Sequence, residues 1–264
     1  MPDAALRERL DEGLARLGGP AAALDDAVRE RLVRFVRLLE KWNRVHNLTA
    51  VRDAHAMIGR HLLDSLALLP WLPEPESASS SEPVPESELD LLDIGSGAGL
   101  PVLPLALARP DLRCLSVDAV GKKVRFQHQA VLELGTANVE ARHARIEDVA
   151  VRARTVVSRA FAAPADFLVA AAPRCADGGT ALVMLGRRER LPDTLPEPFV
   201  LGEVRALDVP FGDGARHVAV CHASPAAGST PVSRSASGSI AEPVPDPATG
   251  SMSGSCPIDY TRTS

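Results

Sequence analysis

The stretch Leu89–Leu105 reads LDLLDIGSGAGLPVLPL, and it predicts a strand, a glycine-rich turn and a helix in succession. The part that ends at Ile94 is a short apolar run interrupted only by aspartates, which is typical of a strand buried on both faces of a sheet. Three glycines follow within five residues, and the apolar pattern resumes at Pro101, a residue tolerated in the first turn of a helix. The backbone of such a turn can approach a ligand closely, and the free N–H groups of the helix start point toward it. We therefore predict a nucleotide-cofactor site.

The spacing of the glycines indicates which cofactor the turn binds. The dinucleotide fingerprint G-x-G-x-x-G would need a small residue where Leu100 stands. Instead, Asp93 lies two places before Gly95 and the pattern G-x-G-x-G follows, which resembles motif I of the S-adenosylmethionine-dependent methyltransferases. In those enzymes the carboxylate and the loop hold the methionine end of the cofactor. A glycine-rich turn without a ligand is the alternative, and it is disfavoured because clustered glycines cost conformational entropy.

The composition is typical of a packed globular protein. Hydrophobic residues make up 45% of the 264 residues and aromatic residues only 3%, so the core must consist mainly of Leu, Val and Ala. The net charge of −5 does not by itself indicate nucleic-acid binding. The four cysteines lie far apart without a C-x-x-C pair, so we expect no metal site. Without a signal-like start or a run of about 18 apolar residues, we expect a cytoplasmic protein that does not contact a membrane.

Four segments of the chain differ in composition. Residues 1–72 predict an N-terminal helical extension, and residues 73–88, rich in Pro, Ser and Glu, predict a flexible linker. Residues 89–223 alternate predicted strands and helices and form the expected catalytic domain. Residues 224–264 consist largely of Ser, Pro, Gly, Ala and Thr, which predicts a disordered tail.

The alternation of strands and helices in residues 89–223 predicts an α/β fold with a doubly wound, mostly parallel sheet. The last two strands, Val200–Val209 and His217–Cys221, predict an antiparallel hairpin at its edge. Together with the likeness to motif I, this pattern predicts the seven-stranded Rossmann-like fold of S-adenosylmethionine-dependent methyltransferases, preceded by N-terminal helices.

Polar side chains fall near the predicted carboxyl ends of the strands. Asp118 ends the second strand, about 20 positions beyond the glycine loop, where an acidic residue suits hydrogen bonds to ribose hydroxyls. The candidates for phosphate contact are Arg60, Lys122, Lys123 and Arg125. A solvated charged surface is the alternative for these four cations. The same two interpretations stay open for the basic residues of the helix predicted from Asp25 to Asn43, which are Arg31, Arg34, Arg37 and Lys41.

Five stretches together resemble one family, and they stand in the order HNLTAVRDAHAMIGRHLLDS, LLDIGSGAGLP, SVDAVGKKVRF, RIED and SRAFA. They resemble the RsmG family, also called glucose-inhibited division protein B, which comprises bacterial 16S ribosomal RNA guanine-N7 methyltransferases. The resemblance covers about residues 25–223. It implies S-adenosylmethionine as the cofactor, N7 of a guanosine in the 530 loop as the target, and 16S rRNA or the small-subunit particle as the partner of a monomeric enzyme.

The resemblance also implies which positions contact the cofactor. These positions are Gly95 and Leu100 in the loop, Ile146 and Glu147 beside the adenosine, and Arg159 within SRAFA. The wider methyltransferase pattern adds Asp93, Gly97 and Asp118. The sequence departs from the family at His46, where Tyr is usual, at Val102, where Gly is usual, and at Leu185, where Lys is usual. Arg187 or Arg188 could supply the charge that Leu185 lacks.

The expected chemistry needs alignment rather than proton transfer. Guanine N7 has a free lone pair and no proton to lose, and the sulfonium methyl of the cofactor is already activated. In-line positioning can therefore provide much of the acceleration, and we expect no general base. The alternatives are a methyltransferase for another RNA or a small molecule, a cofactor-binding regulator without turnover, which the change at Leu185 would permit, and, most weakly, a nicotinamide oxidoreductase.

Overall fold

A seven-stranded sheet forms the centre of the computed structural model, which describes residues 3–74, 88–159, 163–186 and 191–224. The strands are β1 Glu88–Ile94, β2 Cys114–Asp118, β3 Val139–His143, β4 Arg152–Ser158, β5 Cys175–Leu185, β6 Phe199–Leu207 and β7 Arg216–Ala223. Their spatial order is β3-β2-β1-β4-β5-β7-β6. The first five strands are parallel, and β7 runs antiparallel to both β5 and β6. The predicted α/β class and the antiparallel hairpin are confirmed.

Helices cover the sheet and precede it. They are α1 Asp3–Leu17, α2 Asp26–His46, α3 over residues 54–66, α4 Val102–Ala108, α5 Gly121–Leu134 and α6 Pro164–Ala171, with a single short turn of helix, Gly19–Ala22, between α1 and α2. The third helix, α3, is continuous and consists of Ala54–Met57, the π-helical turn Ile58–Leu63 and Asp64–Leu66. No helix in the described part of the chain is both long and apolar enough to span a membrane.

Two apolar clusters lie on the two faces of the sheet. Leu91 and Leu92 are both fully buried and belong to different clusters, because successive side chains of a strand point to opposite faces. This confirms the prediction that β1 is buried on both sides. The first cluster also contains Leu6, Leu10 and Leu14 of α1, so the N-terminal helices share a core with the sheet.

The basic residues of α2 mostly bind other parts of the protein. Arg31 Nε donates to the Leu134 carbonyl at 3.0 Å, and Arg34 Nη2 donates to the Glu133 carbonyl at 2.7 Å. These carbonyls belong to the last turn of α5, where intrahelical partners run out and positive charge is favourable. Arg37 Nε pairs with Asp3 of α1 at 2.8 Å. These three arginines therefore join helices. This role differs from both predicted interpretations of the basic face, phosphate contact and a solvated surface.

The hairpin loop between β6 and β7 packs on the N-terminal helices. Phe211 adopts a positive φ of 59°, and its ring lies beneath the guanidinium groups of Arg9 and Arg16, whose Cζ atoms are 3.9 and 5.1 Å from the ring centre. Its backbone lies so close to α3 that a Cβ on Gly59 would overlap the Phe211 carbonyl oxygen. The last two strands are thus fixed to the beginning of the chain.

Two strands begin well before the apolar runs of the sequence that mark them as strands. Strand β4 begins at Arg152, ahead of the run from Val156, and β5 begins at Cys175, ahead of the run from Ala181. The pair Gly178 and Gly179 lies within β5, in the part where the pairing with β4 shifts from Ala153–Cys175 to Thr155–Thr180. Such irregularities extend a strand through residues that would otherwise indicate its end.

Several predictions concern residues outside those that the structure describes. The linker prediction falls mainly on residues 75–87, and the tail prediction falls on residues 225–264. Ala160 and Phe161 of SRAFA, and the substitute cations Arg187 and Arg188, also lie outside the described residues. The organisation into four segments stays a prediction.

Candidate functional site

A cavity of about 940 Å³ opens at the carboxyl ends of β1, β4 and β5. The chain turns from β1 outward to β2 and β3, and later returns on the other side of β1 as β4. In open α/β sheets this switch point is where ligands bind. Besides the glycine turn, the walls include the loop at Thr49, the π-turn of α3, the end of β4 and the hairpin residues Asp213 and Arg216.

The glycine turn forms one wall in a conformation that favours glycine. Gly95, Gly97 and Gly99 have φ values of 69°, 61° and 73°, in the left-handed region. At Gly99 a Cβ would also overlap the side chain of Leu103 in α4. The predicted strand, turn and helix are therefore present, and α4 begins at Val102 rather than Pro101.

Asp118 supports the turn from the neighbouring strand. Its Oδ2 accepts the N–H of Gly97 at 2.8 Å, and its Oδ1 accepts the N–H of Val120 at 2.8 Å. The side chain is 5% exposed, and Lys123 Nζ lies 3.8 Å from Oδ2. Each carboxylate oxygen can accept more than one hydrogen bond, so acceptor capacity is left for a ligand.

Asp93 is fully buried beneath the turn. Its Oδ2 accepts the N–H of Val102 at 3.2 Å, whereas its Oδ1 has no hydrogen-bond partner among the described residues. Burial raises the pKa of Asp93 to about 7. The hydroxyl of Ser158, on the cavity wall, likewise has no partner among the described residues. Buried polar atoms are normally satisfied, so these two atoms, Ser158 Oγ on the wall and Asp93 Oδ1 behind it, are candidates to pair with a polar ligand group.

Arg159 connects the end of β4 to α3. Its Nη1 lies 3.0 Å from the Arg60 carbonyl, 3.1 Å from His61 Nδ1 and 3.4 Å from Asp64 Oδ2. All three acceptors come from one turn of α3, where the π-helical geometry lies. Such turns are frequent at functional sites.

His61 is neutral in this arrangement. Its Nδ1 lies 3.1 Å from Arg159 Nη1, which can only donate, and 2.9 Å from the Arg60 carbonyl, which can only accept, so these contacts are compatible with either ring tautomer. Nε2 lies 2.8 Å from Thr49 Oγ1, and that oxygen accepts the N–H of Val51. Burial, reinforced by the charge of Arg159, lowers the pKa of His61 to about 3. His61 thus orients Arg159 and does not titrate near neutral pH.

Asn43 places the Thr49 loop against His61. Its Oδ1 accepts the N–H of Thr49 at 2.9 Å, and its Nδ2 donates to the Val51 carbonyl at 2.9 Å. The side chain is 2% exposed, at the end of α2. The loop that contains HNLT is therefore held in place by the hydrogen bonds of Asn43, and it forms one side of the cavity.

Two ion pairs connect α3 to the hairpin. Asp64 lies between Arg159 and Arg216, whose Nε is 3.4 Å from Asp64 Oδ1. Asp64 is 4% exposed, and burial raises its pKa above the ordinary value although both arginines oppose the shift. Arg60 pairs with Asp213, and both of these side chains are exposed.

The structure brings some of the predicted site residues together and places others apart. Those on the cavity wall are Arg60, Gly95, Gly97, Leu100, Lys123 and Arg159. Asp93 and Asp118 lie directly behind the glycine turn. Those away from the described wall are Lys122, Arg125, Ile146 and Glu147. Lys122 Nζ donates to the His46 carbonyl at 2.8 Å, and Ile146 is buried in a core cluster.

Sequence reasoning missed several residues of the wall. They are Thr49, His61, Asp64, Asp213 and Arg216. The stretches HNLT and RHLLDS contain the first three, but contacts that give them a role come from residues as distant as Arg159 for His61 and Arg216 for Asp64. Among the described residues, no group of three or more His, Cys, Asp or Glu could hold a metal ion.

Comparison with known proteins identifies similar chains. The family model described as "GidB: rRNA small subunit methyltransferase G" matches residues 28–192. A protein of Chromohalobacter salexigens named "Ribosomal RNA small subunit methyltransferase G" is 46% identical over 217 residues, which cover 81% of this chain and 95% of that protein. One of the same name from Neisseria meningitidis serogroup C is 41% identical, with 81% and 97% covered.

Solved structures are more distantly similar. The magnesium protoporphyrin IX methyltransferase of Synechocystis PCC 6803, solved with bound SAM, is 15% identical, with a TM-score of 0.48, and the match covers 77% of this chain and 99% of that one. A likeness this coarse has no bearing on the reaction.

We expect the two ion pairs to differ in their contribution to stability. Asp64→Asn should lower the free energy of unfolding by about 1–3 kcal/mol, because two arginines lose a buried partner. Asp213→Asn, the matched control at an exposed pair, should change it by less than about 1 kcal/mol. Urea unfolding of both variants measures this, and equal losses would contradict a special role for burial at Asp64.

Proposed function

Since the chain belongs to the GidB family of small-subunit rRNA methyltransferases, we propose that it methylates N7 of a guanosine in the 530 loop of 16S ribosomal RNA. The chain is an S-adenosylmethionine-dependent rRNA methyltransferase. The proposal includes a cytoplasmic monomer that acts on 16S rRNA, free or in the small-subunit particle.

One observation carries the proposal: stretches that are distant in the sequence meet at one cavity. Thr49 of HNLT, His61 of RHLLDS, Gly97 of the glycine turn and Arg159 of SRAFA all line it. Each of these stretches is part of the resemblance to the guanine-N7 methyltransferases. Their convergence supports a common role in binding the cofactor and placing the base.

The acidic side of the cavity is proposed to bind the cofactor. Asp93 Oδ1, which lacks a partner among the described residues, would pair with the cofactor's ammonium group, and Asp118 would accept from the ribose hydroxyls. Ile146 and Glu147 follow β3, whose last residue pairs with Asp118, so they lie at the edge where the adenosine is expected. When bound, the cofactor supplies an activated methyl group.

The residues of the site are suited to positioning rather than to proton transfer. His61 is the imidazole on the Thr49 side of the cavity, and its Nδ1 faces a guanidinium while its Nε2 faces a hydroxyl. A ring with a pKa of about 3 is a poor base at neutral pH. Because N7 has no proton to lose, alignment of the base is the requirement that the protein must meet.

RNA contacts are proposed for Arg60, Lys122, Lys123 and Arg125, which differ in whether they line the cavity. Arg60 lies on the cavity wall, and Lys122 and Arg125 lie on α5 outside it. Lys123 shares its surroundings with Asp118, so we propose that it acts on both ligands. The departures at His46 and Val102 leave the described contacts intact, since His46 contributes a carbonyl and Val102 a backbone N–H. Leu185 places an apolar side chain on the cavity wall where the family usually has a lysine.

Cofactor affinity should depend on pH through Asp93. With a pKa of about 7 in the free protein, Asp93 must lose a proton to pair with an ammonium group. The affinity for S-adenosylmethionine should therefore rise from pH 5.5 toward 7.5, by up to about tenfold per unit. Calorimetric titration measures it, and Asp93→Asn should bind more weakly with a flat profile. A flat profile in the wild type would contradict the pairing.

The same shift has a consequence for the free protein. The folded state binds the proton more tightly than the unfolded state, whose pKa is near 3.8. The free energy of unfolding should therefore fall as the pH rises from about 4 to 7, and bound cofactor should offset this fall.

Two lysine variants separate the two ligands. Lys122→Ala should raise the KM for RNA and reduce its salt dependence by about one unit of slope, with unchanged cofactor affinity. Lys123→Ala should also weaken the binding of the cofactor, because the ammonium group of Lys123 lies beside Asp118. Steady-state kinetics at several salt concentrations test this, with Arg205→Ala on the edge strand as the control cation. Loss of cofactor affinity in Lys122→Ala would place that lysine in the cofactor pocket.

The proposed target is tested directly by mapping the product. The purified protein and S-adenosylmethionine are incubated with 16S rRNA or small-subunit particles that lack the modification, and N7-specific cleavage with primer extension then locates the methyl group. We expect one cleavage, within the 530 loop. Methylation elsewhere, or at an exocyclic atom, would refute the target. Cofactor binding without any transfer would favour the non-catalytic regulator.

A further inference from the structure

A closed polar network lies beneath the glycine turn, in an otherwise apolar part of the core. Gln127 of α5 and Ser116 of β2 are fully buried, and Ser96 of the turn is 2% exposed. Gln127 is on the helix face that also buries Val124, Ala130 and Leu134. A buried amide is costly unless its hydrogen bonds are made, so its partners indicate why it is tolerated.

Every polar atom of the network has a partner. Gln127 Nε2 lies 2.8 Å from the Gly97 carbonyl oxygen and 2.9 Å from Ser96 Oγ. Ser116 Oγ lies 2.5 Å from both Gln127 Oε1 and Ser96 Oγ. Since Oε1 only accepts, Ser116 donates to it and Ser96 donates to Ser116, while the two amide protons go to Gly97 and Ser96.

The bond to Gly97 fixes a peptide of the cavity wall. Asp118 binds the N–H of Gly97 and Gln127 binds its C=O, so both peptides of this residue are held. In a trans peptide the C=O and the following N–H point in opposite directions. The Gly97 carbonyl points into the core toward Gln127. The N–H of Ala98 therefore points away from the core, and Ala98 is one of the residues that line the cavity.

We propose that Gln127 is a positioning residue for cofactor binding, which holds the Gly97–Ala98 peptide so that the Ala98 N–H faces the cofactor. The anionic group of S-adenosylmethionine is its carboxylate, and a fixed N–H donor suits it. This inference rests on the proposed use of the cavity for that cofactor. Without Gln127, the Gly97 carbonyl loses its buried partner, and the peptide can rotate because glycine accepts a wide range of backbone angles.

Two variants of the full-length chain distinguish positioning from mere stability. Gln127→Leu fills the space but removes the donor to Gly97, so the calorimetric Kd for S-adenosylmethionine should rise about tenfold. Ser116→Ala removes another corner of the same network but keeps the bond from Nε2 to Gly97. It should lower the melting temperature while the Kd stays within about twofold of the wild type.

A second readout follows the Ala98 amide itself. In the 15N-labelled wild type and in Ser116→Ala, S-adenosylmethionine should shift the Ala98 amide resonance, and in Gln127→Leu this shift should be reduced. If Gln127→Leu does not fold, Gln127→Met tests the same donor, since it keeps the length of the side chain but lacks the amide protons.

Both readouts are measured without RNA, so they do not depend on whether the proposed RNA target is correct. An unchanged Kd in folded Gln127→Leu, equal Kd values in the two variants, or an Ala98 amide in the wild type that does not respond would each overturn the inference. If the wild type does not bind S-adenosylmethionine at all, the cofactor assignment fails instead.

Discussion

The guanidinium of Arg159 holds the N-terminal helices against the carboxyl end of the sheet. Its contacts to the Arg60 carbonyl, His61 and Asp64 all reach one turn of α3. Because this group can only donate, it requires acceptors around it, and the Arg60 carbonyl and the Asp64 carboxylate supply them, with Asp64 also its counter-ion. The helices that precede the sheet are therefore a wall of the site, and the cavity would be open on that side without them.

The cavity is electrically divided by the elements that form it. Asp93 and Asp118 lie behind the glycine turn on one side, with Lys123 beside Asp118. The arginines of α3, β4 and β7 lie on the other side, where Asp64 and Asp213 pair with them. A cofactor with ammonium and sulfonium groups suits the first side, and a polyanion suits the second. Buried His61 adds no charge to either side at neutral pH, whereas Asp93, with a pKa of about 7, gains its negative charge across this range.

Local signals predicted the sheet, the turn and the helix order, because burial on both faces of β1 and the clustered glycines are visible within a few residues. Long-range contacts could not be predicted in this way. The arginines of α2 bind carbonyls about 100 positions later. His61 looked like an ordinary packed histidine until Arg159 was placed beside it. Gln127 had no signal at all, since its role depends on Ser96 and Ser116, which join it only in the folded chain.

The contact of Phe211 with Arg9 and Arg16 has a consequence for the order in which the protein is completed during translation. The ring that these arginines cover is made almost 200 residues after them, a delay of about 10–40 s at roughly 5–20 residues per second. Until then, Arg9 and Arg16 of α1 and the surface of α3 at Gly59 lack their contacts with Phe211. These helices are thus made long before the hairpin that covers part of them, and the cavity wall gains Asp213 and Arg216 only when that hairpin docks.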